Sequence, residues 1–411
     1  MKRLLIVILL YFLISYSFAQ NRIGFYLDDE INNTFSVPFK TINNLIILKL
    51  SINDSRELSF ILDSGSKNTL LFIDDSINNP LEKSYQRAFE INGWGNGVSN
   101  FGFISIQNKV KLGKVIGSNI SIVGINKSDM DISPFFGEKI DGILGIDIFK
   151  SLIVQINFQK QKIIFSNPAN FVAPKKSEKI KIVFDNDKPF INCEMAFDDQ
   201  KKFPIKLLID LGESKPISLV VGTDSFIQYP NNFVYANLGV GLNGLISGFI
   251  GQNRRFQIGK FQLENIFTAY PDENSLKGIL IKDTRNGSIG MGVLNRFLLT
   301  FNLAENALYL KKNINYKKPF VFNRTGIEIR AEEPKYERFF IGNVVPYTPA
   351  YIYGLQAEDE ILVIDGIPIE KLNYKEILGI LEDKDKNFLY LKIKRGNDIK
   401  EFNLHLFSLF N

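Results

Sequence analysis

From residue 37 to residue 312 apolar and polar positions alternate with a period of two, and short clusters of Gly, Asn and Asp interrupt the alternation. Such alternation puts successive side chains on opposite faces of a strand, and the clusters supply turns. Leu45 to Ile52 reads as a strand, Asn53 to Glu57 as a turn, and Leu58 to Leu62 as the returning partner. The second half repeats the unit with Phe190 to Phe197, a turn at Asp198 to Lys202, and Phe203 to Ile209. Short helices are expected near 147–151 and 292–296. After the basic stretch Lys311 to Lys318 the pattern changes. Strands beginning near Val321 precede an amphipathic helix candidate, Tyr374 to Glu382. A hairpin of Leu389 to Lys394 and Ile399 to Leu406 closes the unit.

The repetition extends along both halves. Gly142-Ile143-Leu144-Gly145 matches Gly287-Ser288-Ile289-Gly290, and the residues after each tetrad stay aligned at an offset of 145. Asp63-Ser64-Gly65-Ser66 follows the apolar run Leu58 to Leu62, and Asp210-Leu211-Gly212 follows Ile205 to Ile209, at an offset of 147. Two anchors at nearly one offset argue for tandem duplication. The expected divisions are a leader at 1–19, a first lobe at 20–172, a second lobe at 180–312 and a C-terminal domain at 321–408. The polar stretch Ala173 to Lys179 would link the lobes.

A chain of 411 residues exceeds one compact core and suits two or three domains. The net charge is +5, and the basic residues form only short pairs such as Lys175-Lys176 and Arg254-Arg255, so no nucleic-acid partner is expected. Lys2 and Arg3, the apolar run Leu4 to Ile14, and Ser17-Phe18-Ala19 read as a signal peptide cleaved after Ala19. Export to the periplasm or the extracellular space follows, with no transmembrane segment in the mature chain. Cys193 and His405 are the only residues of their kinds, which removes intrachain disulfides and His/Cys zinc sites. Hydrolytic chemistry would have to run on carboxylates, and no metal or cofactor is expected.

The Asp63-Ser64-Gly65-Ser66 turn, with Ile143-Leu144-Gly145 later in the same half, resembles the lobe signature of pepsin-like and retroviral-type aspartic peptidases. The segment Gly354 to Gly366 resembles a PDZ domain. The combination resembles secreted bacterial aspartyl protease proteins with a C-terminal PDZ domain. The resemblance implies a mostly β fold, two pepsin-like β-barrel lobes followed by the PDZ domain. It implies catalytic Asp63 and Asp210 holding a water that attacks a peptide carbonyl, with Ser64, Gly65, Ser66 and Gly212 in support. Two such carboxylates share a proton and titrate as a pair. In the family a hydroxyl residue after each Asp clamps the two loops, and a hydroxyl three residues after the Asp bonds its outer oxygen. Here Leu211 and Glu213 stand at those places in the second lobe.

Glycine runs at Gly93-Trp94-Gly95 and around Gly239 and Gly241 are expected to form flaps over an extended peptide. Neither run joins a strand to a helix as a phosphate loop does. The PDZ unit implies a peptide ligand added as a strand, with Gly326 and Ile327 in a carboxylate-binding turn and Ile377 and Leu381 on the groove helix. Ile377 and Leu381 fit equally well as core residues. Two functions stay open: an aspartic-type endopeptidase acting on a peptide or protein substrate, and a catalytically inactive, protease-like peptide-binding or scaffold protein of the cell envelope.

Overall fold

The computed structural model describes residues 22–28, 33–74, 79–81, 88–91, 95, 97, 100–198, 201–276 and 285–410. The expected leader and the flap residues Gly93 and Trp94 lie outside the described residues. The fold is mostly β, bilobal, and followed by a C-terminal unit with its own sheet.

Each lobe is organised around a strand that ends at an aspartate. In the first lobe Leu58–Leu62 is buried at every position, so both faces of the strand are covered. It pairs antiparallel with Leu45–Ile52 and parallel with Gly142–Leu144. In the second lobe Phe203–Ile209 pairs antiparallel with Lys188–Ala196 and parallel with Gly287–Ile289. The parallel partner then pairs antiparallel with a third strand, Thr69–Ile73 in one lobe and Ile217–Leu219 in the other. Asp141 accepts the Ser59 N–H at 2.8 Å, and Asn286 accepts the Lys206 N–H at 2.8 Å, so the same kind of side-chain brace recurs at the start of both parallel pairs.

A six-stranded antiparallel sheet joins the lobes. Its order is Glu178–Lys181, Ala307–Lys312, Phe297–Asn302, Ile153–Asn157, Lys162–Ser166, Thr34–Pro38. The seam pairs Val154 with Phe301 and Ile156 with Leu299. Short helices, Asp147–Ser151 and Met291–Leu294, precede the two seam strands, and Phe149 packs edge-on against Phe301 at 4.9 Å between ring centroids. Burial of these large side chains makes the seam part of the hydrophobic core.

The C-terminal unit has five main strands in the order Ile327–Ala331, Phe339–Val344, Glu360–Ile364, Phe388–Arg395, Asp398–His405. The helix Tyr374–Leu381 starts at Asn373, whose side chain accepts the Glu376 N–H at 3.0 Å while Glu376 accepts the Asn373 N–H at 2.8 Å, a reciprocal cap. Among the described residues no helix is long and apolar enough to cross a membrane.

Candidate active site

The two aspartates meet at the junction of the lobes. Asp63 donates its N–H to the Leu144 carbonyl at 2.9 Å, and Asp210 donates to the Ile289 carbonyl at 3.0 Å. Each turn then folds back on its own carboxyl: the Gly65 N–H donates to Asp63 Oδ1 at 2.7 Å, and the Gly212 N–H to Asp210 Oδ1 at 2.9 Å. The glycines also face the opposite lobe. A Cβ built on Gly65 would lie 2.8 Å from Asp210 Cγ, and one on Gly212 would lie 2.5 Å from Asp63 Cγ. Only glycine lets the two turns approach this closely.

The carboxyl groups hydrogen-bond to each other. Burial and the facing Asp210 charge hold Asp63 well above the ordinary carboxylate range, although the Gly65 and Ser66 N–H groups pull the other way. Burial also raises Asp210. The bond from Asp63, the Gly212 N–H, and the positive charges of Arg285 and Lys188 oppose that rise. Both carboxyls are therefore held above the ordinary carboxylate range, as expected of a pair that shares a proton.

The supporting residues divide into those that behave as the family pattern implies and those that do not. The Ser64 hydroxyl donates to the Ile209 carbonyl at 2.7 Å and accepts the Leu211 N–H at 3.2 Å, crossing the lobe boundary twice. Leu211 returns no such bond, and its side chain is fully buried. Ser66 departs from expectation: its hydroxyl donates to the Asn68 carbonyl at 2.8 Å, and its N–H, rather than its Oγ, serves Asp63.

Glu213 turns inward. Its carboxylate accepts hydrogen bonds from the Ser218 and Ser288 hydroxyls, the latter at 2.5 Å. Those serines are opposite each other across neighbouring strands and almost wholly buried. Burial first, and the Asp210 charge second, push Glu213 up to about 7. Ser218, Ser288, Arg285 and Lys188 had no signal in the sequence, because nothing local marks which strands meet. For Ser288 the repeat alignment gives only its equivalence to Ile143, a residue of the strand that pairs with the Asp63 strand.

The glycine loops converge. The Gly95 N–H donates to the Ser275 carbonyl at 3.0 Å and the Gly97 N–H to the Asn243 carbonyl at 2.7 Å. Asn243 joins Phe233–Gly241 to Gly244–Ile258 in the second lobe, and a bulge between Asn237 and Gly239 bends that hairpin. Gly241 closes its end opposite Gly244. Backbone from one lobe thus touches the hairpin tip of the other.

In the C-terminal unit, the residues expected to face a peptide are buried instead. Ile327, Ile377 and Leu381 are each exposed by 1 % or less, and a Cβ on Gly326 would collide with Thr348. Two of the turn's amides are already used: the Thr325 N–H donates to Asn323 Oδ1 at 3.0 Å and the Ile327 N–H to Thr325 Oγ1 at 3.0 Å. Glu358 occupies a left-handed backbone position with φ of 71°, a conformation that glycine adopts without strain. The following Asp359 is fully buried and takes a two-pronged bond from Arg395, at 2.6 and 2.7 Å.

Residues 316–394 match the family model of the PDZ domain. A similar solved structure is the aspartic proteinase from Irpex lacteus, with 14% identity and a TM-score of 0.46, covering 69% of this chain and 99% of that chain. No curated protein matches the chain.

Proposed function

We propose that the chain is an aspartic-type endopeptidase that hydrolyses peptide bonds with a water held between Asp63 and Asp210. The observation that carries this reading is the crossed packing of the turns, in which each glycine lies against the other lobe's aspartate. Asp210 takes a proton from the water as its oxygen bonds the scissile carbonyl carbon. Asp63 donates the shared proton to the carbonyl oxygen, giving a tetrahedral diol. Proton transfer to the amide nitrogen then allows the C–N bond to break and releases an amine and a carboxylic acid. No covalent bond to the protein forms. The glycine loops would sit over the bound strand and keep bulk water out. The proposed substrate is an extended peptide or protein segment met outside the cytoplasm, after removal of residues 1–19.

A second reading, a non-catalytic peptide holder, draws on Leu211 and Glu213. The buried Leu211 leaves the loop clamp one-sided, and Glu213 adds a third carboxyl beside the pair. Cleavage of a random peptide library between about pH 3 and about pH 8 separates the two. The peptidase predicts turnover by the mature chain that both Asp63→Asn and Asp210→Asn abolish. Peptide binding without cleavage, in the folded parent chain, supports the holder.

A further inference from the structure

We propose that the groove of the PDZ domain is filled by the chain's own first lobe, so that its partner is the internal segment Ser133 to Gly137. The inference does not depend on whether Asp63 and Asp210 turn over.

PDZ domains take extended peptides by adding them to an open strand edge beside a helix. Here that edge is Ile327–Ala331, the outermost strand of its sheet, and the helix is Tyr374–Leu381. The short turn of helix Ser133–Phe135 lies directly against the edge strand. Gly137 follows with φ of 62°, and a Cβ there would come within 2.4 Å of the Tyr374 Cβ. The Tyr374 hydroxyl donates to the Ile329 carbonyl at 3.1 Å, which occupies an acceptor that an added strand would need. Ile132, Phe136, Ile327, Ile329, Tyr374 and Ile377 belong to one continuous buried cluster.

Polar contacts fix this arrangement. Lys127 of the first lobe reaches Glu333 at 2.6 Å, and Asp131 holds the Ser133 N–H at 2.9 Å. On the other side the Glu328 carboxyl accepts the Asn237 N–H at 3.2 Å, from the hairpin whose tip meets the first lobe's glycine loop. Val345 packs with Val234, Ala236 and Leu238 of the same hairpin. The domain thus grips both lobes.

The internal amide bonds of Asn323 and Thr325 leave the turn unsuited to a terminal carboxylate, which fits an internal segment as occupant. Ser133 also accepts the Ile140 N–H at 3.2 Å, just before the strand Gly142–Leu144 that supports Asp63. Displacing the occupant would pull on that support.

The test uses the whole mature chain and an end-capped, labelled peptide copying residues 129–139. An attached occupant competes at an effective concentration near the millimolar range, roughly, so the parent chain should bind the probe weakly. Gly137→Val should raise probe affinity about tenfold, and the milder Lys127→Glu several-fold. In hydrogen exchange, added probe should expose amides of 133–137 while 327–331 stays protected. Equal affinity for all three chains, absence of binding by all three, or binding that leaves 133–137 protected would each overturn the proposal.

Discussion

The two aspartate turns rest on the same strands but differ in what surrounds the carboxyl. Around Asp63 the turn is polar and short: Ser64 spans the lobes, and Ser66 closes on its own loop. Around Asp210 the place of the first hydroxyl is taken by a buried leucine and that of the second by an acid caged by two serines. The backbone geometry at the carboxyls is nonetheless alike, with N–H to Oδ1 distances of 2.7 and 2.9 Å. The difference teaches that the glycines and strand partners place the carboxyls, while the other turn residues set lobe cohesion and proton affinity.

The strongest way to break this comparison is to fill the space between the turns. Gly65→Ala and Gly212→Ala should each cut turnover by at least about 100-fold, because a misplacement of about 1 Å alone costs a factor of this size. The folded sheet should persist by circular dichroism. Near-parental activity in either variant would refute the role assigned to the glycines.

Lobe cohesion should respond next. Ser64→Ala orphans the Leu211 N–H and the Ile209 carbonyl, and should cost about 2–4 kcal/mol in urea unfolding. Leu211→Thr sacrifices apolar packing but offers a hydroxyl at the symmetric place. It should therefore cost less in the Ser64→Ala background than alone, with a coupling of about 1 kcal/mol in the double-mutant cycle. Strict additivity would mean that the two positions do not share one clamp.

Glu213 sharpens the comparison through pH. Its folded value, about 7, lies above its ordinary 4.5, so the folded chain binds this proton more tightly than the unfolded chain. The associated stability is complete below about pH 4.5 and is lost as the pH rises through about 7. Glu213→Gln should flatten that slope, worth on the order of 3 kcal/mol across the window. Removal of a charge that forms above about pH 7 should also make the pair's shared proton easier to lose and move the alkaline limb of activity to lower pH. An unchanged limb would separate Glu213 from the pair. The smallest effect belongs to Lys67, whose exposed ion pair with Asp187 at 2.7 Å bridges the lobes. Lys67→Ala should leave the urea unfolding midpoint essentially unchanged, because so exposed a pair is screened by solvent.

Much of this was legible in the sequence because it is written locally. Period-two runs marked the paired strands, and the Asp–x–Gly turns marked where those strands end. The helix expected at Tyr374 to Glu382 is present as Tyr374–Leu381, set by its Asn373 cap. Long-range pairing was not legible. Ser218 and Ser288 are far apart along the chain and become a cage for Glu213 only once their strands are in register. Ile377 and Leu381 show the same limit: their spacing marks one helix face, but not that Tyr374 beside them abuts Gly137 of another domain. Nothing in the sequence around Asp131 shows that its carboxylate orders the segment in that groove.

The sheet shared by the lobes has a consequence for how the protein is made. When synthesis reaches residue 172, Thr34–Pro38, Lys162–Ser166 and Ile153–Asn157 can already pair with one another. The outer edge of Ile153–Asn157 has no partner until Phe297–Asn302 is made. At roughly 5–20 residues per second, that is a wait of roughly 6–26 s. Throughout it the nascent first half carries an open, apolar strand edge, the kind of surface that pairs with a neighbouring chain when nothing shields it.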